Sequence, residues 1–374
     1  MSVRCDERGL TFIEMLIAVT LVALVVAGFY GLLSVGIQGW VGLEGQLDVQ
    51  QHPRVAAGRV LAEVRQARDF VIGSGGTALG LVKATLLTQD VASLATSFTV
   101  EDASVLASGV PLVLVNLNRV EQASVASIAG NTVTVSSGLT SPHLRGELVR
   151  RPPSTLAVAA STGATSLSVA DGAPFRVGDP IAVEDELPLT VAAVAGNTLT
   201  ITPALAQDHA AGEVAQPLSV VFLLVGSQLT RCTLTCATAA NQIALADLLQ
   251  APPGRQLFAA PRTTLSTSAN AADTQLCVQS TAGFAVNDQV QVDRDRTSAR
   301  VATPADRRTI TAVGSGGGCP AGQLTLNRGL SAAHAAGSAV RVPAVEINFL
   351  ASRFNDALQQ TQEVTVTSRA LIRN

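Results

Sequence analysis

Arg8-Gly9-Leu10-Thr11-Phe12-Ile13-Glu14 opens a run that continues from Met15 to Ile37 without one charged residue. As a helix rising about 1.5 Å per residue, those 23 positions extend about 35 Å, slightly more than a bilayer's hydrocarbon core of about 30 Å. The run therefore predicts a membrane span over 15–37. Arg4 and Arg8 lie on its N-terminal side, and the next basic residue beyond it is Arg54. That asymmetry keeps the N-terminus in the cytoplasm and sends the rest of the chain out. Glu14 stands just inside the apolar run, where an ionised carboxylate is costly and calls for a partner. No small-residue cleavage site follows the span, so processing is expected before it.

The string from Arg8 to Leu16 resembles the processing signature of type IV prepilins and type II secretion pseudopilins. That resemblance implies cleavage between Gly9 and Leu10 by a prepilin peptidase, with methylation of the new N-terminus at Leu10. Phenylalanine is usual at the first mature position; here it is Leu10, with Phe12 two places on. By the same resemblance, Glu14 becomes the fifth mature residue and pairs with the N-terminal amine of a neighbouring subunit.

After the span, Trp40 sits where an indole would rest at the interface. Pro53 is expected to kink or restart the helix. Val60, Leu61, Val64, Ala67 and Val71 then give an apolar stripe at helical spacing. The pattern predicts a helix over 10–72 that ends at Gly73-Ser74-Gly75-Gly76 and lies on a sheet, as pilin helices do.

Composition narrows the fold class of the remainder. Hydrophobic residues make up 47% of the 374 residues, but aromatics only 3% and charged residues 14%. This favours small-residue β-strands over a core of large side chains. Net charge is −3 and stays so without residues 1–9, because Arg4 and Arg8 offset Asp6 and Glu7. Nucleic acid is not an expected partner.

The β-rich remainder repeats itself. Thr165 to Val169, Phe175 to Val183, Val194 to Ile201, Leu205 and His209 to Gly212 form one unit. Thr96 to Val100, Gly109 to Leu112, Ile128 to Val135, Leu139 and His143 to Gly146 form an earlier one. Thr274 to Val278, Phe284 to Val290, Gln323 to Leu326, Leu330 and His334 to Gly337 form a third. Each alternates apolar and polar residues between Gly, Asn and Asp turns, the pattern of a small antiparallel β-module. Because His143, His209 and His334 occupy one place in three separate modules, we read them as turn hydrogen-bonding residues rather than ligands of a shared metal. Asp179 and Asp288 read as turn residues. Glu184-Asp185-Glu186 and Asp293-Arg294-Asp295-Arg296 read as solvated loops with no calcium-loop spacing.

Cys5 falls in the leader. Cys232, Cys236, Cys277 and Cys319 form an even set in an exported chain, which favours disulfides over zinc. Spacing alone fixes no pairing; Cys232 with Cys236 and Cys277 with Cys319 are the expected pairs, the second because one repeat encloses both. No metal or cofactor is expected.

Leu218 to Val225, Gln228 to Cys232, Ile243 to Leu249, Val345 to Leu350 and Glu363 to Asn374 resemble more loosely the sheet of larger minor pilins and J-type pseudopilins. The expected architecture is α+β: a long N-terminal transmembrane and amphipathic helix on an antiparallel pilin-like sheet, with three inserted all-β modules. Its parts are a leader (1–9), the helix (10–72), module 1 (91–151), module 2 (157–216), the sheet (217–260 plus 344–374) and module 3 (261–343). No nucleophile elbow, phosphate loop or His-Glu helix motif occurs, so the chain does not read as an enzyme. It reads as a minor pilin or pseudopilin of a type IV pilus or type II secretion pseudopilus, held in the bacterial inner membrane before assembly. Its bulk fits low copy number or a tip position. Its expected partners are the prepilin peptidase and other pilins; the alternative is a pilus-displayed adhesin whose modules bind a surface or glycan.

Overall fold

The computed structural model describes residues 12–116, 119–233, 242–247, 249–292, 307–316, 318–355 and 360–372. One helix, α1 (Phe12–Gln66), runs for 55 residues and continues through Pro53. Its first part stands clear of the body: Phe12–Ile37 is long and apolar enough to cross a membrane, and none of it is buried. From Val49 onward the helix has a buried stripe of Val49, Pro53, Ala56, Ala57, Val60 and Val64, which lie along one helical face.

The helix ends six residues before the expected boundary at 72. Ala67–Ile72 is a strand, pairing antiparallel with Ala78–Lys83, for example Phe70 with Leu81. Ala67 and Val71 fit helical spacing, but Phe70-Val71-Ile72 is an aromatic and β-branched run that packs better on a pleated surface. Gly73-Ser74-Gly75-Gly76 is accordingly a hairpin turn, with Gly76 at φ +65. The sheet beside the helix therefore includes residues 67–83, outside the expected segments 217–260 and 344–374.

That sheet has five antiparallel strands in the order Ala67–Ile72, Ala78–Lys83, Val220–Val225, Gln228–Cys232, Gln242–Ala246. The chain leaves it after Lys83 and returns at Val220, which pairs with Leu81. A second sheet has four strands, with the long hairpin Ala344–Asn355 and Gln360–Leu371 flanked by Leu249–Gln250 and Phe258–Ala259. Both sheets share one core with the helix stripe, containing Phe70, Phe222, Phe258 and Phe349. Phe258 and Phe349 meet edge to face at 6.1 Å. We call this helix and its two sheets the root.

Two six-stranded antiparallel sheets occupy the excursion between Lys83 and Val220, and a third lies between Ala259 and Ala344. In each the spatial order of the strands is first, sixth, third, fourth, fifth, second. Bridges Leu87–Val100, Leu156–Val169 and Leu265–Val278 join the first strand to the second, so each sheet closes into a barrel. Each barrel has its own apolar core. Closure leaves no long unpaired edge, which removes the usual template for strand addition. The first strand of barrel 1 is Thr85–Leu86 and that of barrel 2 is Ser154–Thr155, both earlier than the expected boundaries at 91 and 157.

The same polar bonds recur in the barrels. Asn131 Nδ2 donates to the Glu101 carbonyl at 2.9 Å, and Asn197 Nδ2 to the Ala170 carbonyl at 3.2 Å. The N–H groups of Asp102, Asp171 and Ser280 donate to Thr85, Ser154 and Thr263 hydroxyls respectively, at 2.9–3.0 Å. In the Gly-Asn hairpins it is Gly130 and Gly196, at φ +57 and +58, that take the left-handed conformation. That is the glycine-first pattern of a type II′ turn. Cys277 and Cys319 form a disulfide within barrel 3, their Cα atoms 5.0 Å apart. Cys232 is disulfide-bonded and buried; Cys236 lies outside the described residues.

Candidate assembly helix and its junction with the body

The apolar half of α1 presents large side chains in every direction. Phe12, Leu24, Val25, Phe29, Tyr30 and Leu32 are all at least 64% exposed. An all-round apolar helix needs a lipid or helical environment, since water would not tolerate it. Glu14 is in the first turn of this helix. Gly9 and Leu10 lie outside the described residues.

The polar half is held to the body by packing and charge. Glu63 Oε1 accepts from Arg231 Nη2 at 2.7 Å and Nε at 3.0 Å, and its other oxygen pairs with Lys83, the only lysine in the chain. Lys83 and Arg231 belong to different strands of the five-stranded sheet, so one carboxylate ties α1 to both. Burial opposes ionisation of Glu63, but Lys83 and Arg231 outweigh it and hold its carboxyl below the usual range. Neither this group nor its partners can be singled out in the sequence, because the residues stand up to 168 positions apart.

A second ionic centre joins the barrels to the root. A register shift between Ala67 and Asp69 marks a bulge, which re-aims a side chain. Asp69, 2% exposed, accepts from Arg341 Nη2 at 3.0 Å, and the Arg341 guanidinium lies 5.3 Å over the Phe70 ring. Arg341 is on barrel 3, and Arg150 is at the matching place on barrel 1. Burial pushes Arg150 down to about 10, with the Asp69 charge acting in the opposite sense. One carboxylate of the root thus bonds to barrel 3 and acts electrostatically on a buried arginine of barrel 1. Barrel 2 is tied in through Asp179, which pairs with Arg151 of the inter-barrel link and accepts from the Arg176 N–H at 2.7 Å. Asp288 of barrel 3 accepts from the Ala285 N–H at 2.8 Å and forms an ion pair with Arg369 of the last strand at 3.2 Å. Both aspartates are turn residues that also dock a neighbouring arginine.

The histidines are not brought together: His143 is in barrel 1, His209 in barrel 2 and His334 in barrel 3, each paired backbone to backbone with Val91, Ala160 or Ala269. Among the described residues no group of three His, Cys, Asp or Glu is arranged to hold a metal. The acidic run 184–186 is not a solvated loop. Glu186 is buried and hydrogen-bonded to His209 Nε2 at 2.9 Å, and Asp185 accepts from Gln207 at 3.0 Å. Asp293 to Arg296 lie outside the described residues.

Residues 4–30 match the family described as the prokaryotic N-terminal methylation motif. No curated protein matches the chain. The motif implies processing by prepilin peptidase, membrane insertion and assembly with other pilins. That motif, on a bilayer-length apolar helix with an antiparallel β body behind it, supports reading this chain as a type IV pilin-like protein.

Proposed function

We propose that the chain is a minor pilin or pseudopilin, present in few copies or at the fibre tip, and that its role is assembly rather than catalysis. The observation that carries this reading is the length of α1. About 54 Å of helix, from Phe12 to Leu47, precedes the first stripe residue that is buried among the described side chains, far more than a simple anchor needs. The apolar part spans the inner membrane with the N-terminus in the cytoplasm, and later packs beside other helices in a fibre. Cleavage falls between Gly9 and Leu10, Leu10 is methylated, and Glu14 pairs with the freed amine of a neighbouring subunit. The three barrels are copies of one unit inserted into a pilin sheet. A close-packed fibre made mainly of such subunits would have no room for three barrels on each, which supports low copy number.

The mass of the N-terminal peptide tests the processing step. We expect a chain beginning at methylated Leu10 when the peptidase is present and an intact leader when it is absent. Glu14→Ala is expected to cut the amount recovered in sheared fibres at least tenfold, with membrane levels unchanged. An intact leader together with full incorporation of Glu14→Ala would overturn the reading.

One observation favours a second reading, a displayed head that binds a surface. Leu94 is 80% exposed on left-handed backbone (φ +64), at the place where barrels 2 and 3 have Gly163 and Ala272. A leucine held there costs about 1–2 kcal/mol without any burial in return. Leu144, 61% exposed, follows His143 where the other barrels have Ala210 and Ala335. Leu94→Gly is expected to stabilise the protein and to weaken adhesion to octyl-coated beads. Unchanged adhesion would remove this reading.

A further inference from the structure

Two buried histidines in this protein each lie between two carboxylates. His143 Nδ1 is 2.6 Å from Glu147 Oε2, and its Nε2 is 3.1 Å from Glu121 Oε2. His209 Nδ1 is 2.6 Å from Glu213 Oε2, and its Nε2 is 2.9 Å from Glu186 Oε2. The two arrangements are the same in atoms and in place, although they belong to different barrels.

The carboxylates are already occupied as acceptors. Glu121 takes the backbone N–H groups of Thr140 and Ser141, Glu147 takes that of Leu144, and Glu186 takes those of Ala206 and Gln207. A neutral imidazole has a single N–H and could satisfy only one flanking carboxylate; its other nitrogen would turn a lone pair toward a carboxylate oxygen. Only an extra proton, giving an imidazolium with two N–H donors or a protonated carboxyl, satisfies both contacts. We propose that these Glu-His-Glu triplets are proton-held clasps that close the loops 139–147 and 205–213 of barrels 1 and 2 and open when the proton leaves at alkaline pH.

The loops depend on the clasp because it reaches across the barrel. Glu121 and Glu186 stand at or near the start of the fourth strand, while Glu147 and Glu213 stand just before the sixth. The histidine therefore joins two strands and fixes the loop between them. Of the other charged groups near these loops, Asp90 accepts from the Arg145 backbone N–H, Asp208 from Thr162, Asp185 from Gln207 and Glu184 from the Val214 N–H. Barrel 3 has Ser338 in the position of Glu147 and Glu213.

The direction of the pH response is set by burial and charge together. Burial alone would lower His209, but hydrogen bonds and charge from Glu186 and Glu213 outweigh it and raise it above the ordinary histidine value. Its contribution is complete below the unfolded-state value and is lost as pH rises through the raised one. Burial would raise Glu121, but the Thr140 N–H and His143 hold it below the usual carboxylate range. Its contribution is lost as pH falls through that lowered value. Protonation of Glu121 thus bounds the barrel 1 clasp on the acid side, and loss of the His209 proton bounds the barrel 2 clasp on the alkaline side.

Hydrogen-exchange mass spectrometry of the full chain in detergent micelles, from pH 6 to 9.5 and corrected for the intrinsic rate, tests this. Opening of peptides covering 140–147 and 206–213 is expected to rise about tenfold for each pH unit between the unfolded-state and the raised folded-state histidine values, and to level off above the latter. His143→Gln should abolish the pH dependence in the first peptide only, and His209→Gln in the second only. Glu213→Ser, which copies the barrel 3 residue, should move the midpoint for 206–213 to lower pH and serves if a histidine variant does not fold. Opening that stays constant across the range in the unaltered protein would overturn the proposal.

Discussion

Asp69→Ala is expected to lower the stability of the root by about 3–5 kcal/mol, the cost typical of breaking a buried ion pair by removing one partner. Asp69 is 2% exposed and bonded to Arg341 at 3.0 Å, and its charge also acts on the buried Arg150. Alanine would leave both guanidinium groups without the negative charge that offsets their burial. Chemical denaturation of the full chain in micelles measures the loss. The double substitution Asp69→Ala with Arg341→Met should recover at least about 1 kcal/mol, because it removes the stranded charge along with its partner. A loss below about 0.5 kcal/mol for Asp69→Ala would show that water reaches this junction and that the barrels are not held by it.

Val60→Asp should separate the helix from the sheets while sparing the barrels. Val60 is 0% exposed within the core that also holds Phe222 and Phe349. A carboxylate there has no partner and costs upwards of about 3 kcal/mol if forced to stay buried. Each barrel keeps its own core, so it does not depend on the helix for burial. Limited proteolysis should therefore cut within 49–66 and in the root strands at protease levels that leave all three barrels intact. Loss of barrels and root together in one transition would contradict this independence.

The sequence makes the front of the protein plain because its signals are local. An uncharged run of bilayer length, a glycine before it and a glutamate just inside it all fall within about thirty residues. The repeated strings around His143, His209 and His334 are legible for a related reason: each copy writes the same turns and alternation again. Strand Ala67–Ile72 is harder to see, since Ala67 and Val71 continue the helical stripe and only Phe70-Val71-Ile72 argues otherwise. The ionic centres are harder still. Asp69 meets Arg341 across 272 positions, and Glu63 meets Arg231 across 168. No local pattern marks a residue whose partner is set by where three barrels come to rest. His143 and His209 make the loop hydrogen bonds expected of them, but their partners Glu121 and Glu186 stand 22 and 23 positions away, and no local pattern assigns either glutamate to a histidine.

The surface under α1 is drawn from both ends of the chain. Phe70 and Leu79 come from just after the helix, Phe222 from beyond two barrels, and Phe349 and Ala370 from the final hairpin. A polypeptide emerging N-terminus first will have its helix in place long before the last of these residues is made. A chain cut short before residue 344 would leave Val60 and Val64 partly uncovered and the five-stranded sheet without its companion. A fully backed helix therefore needs every one of these segments, so packing of the root waits on the hairpin 344–371.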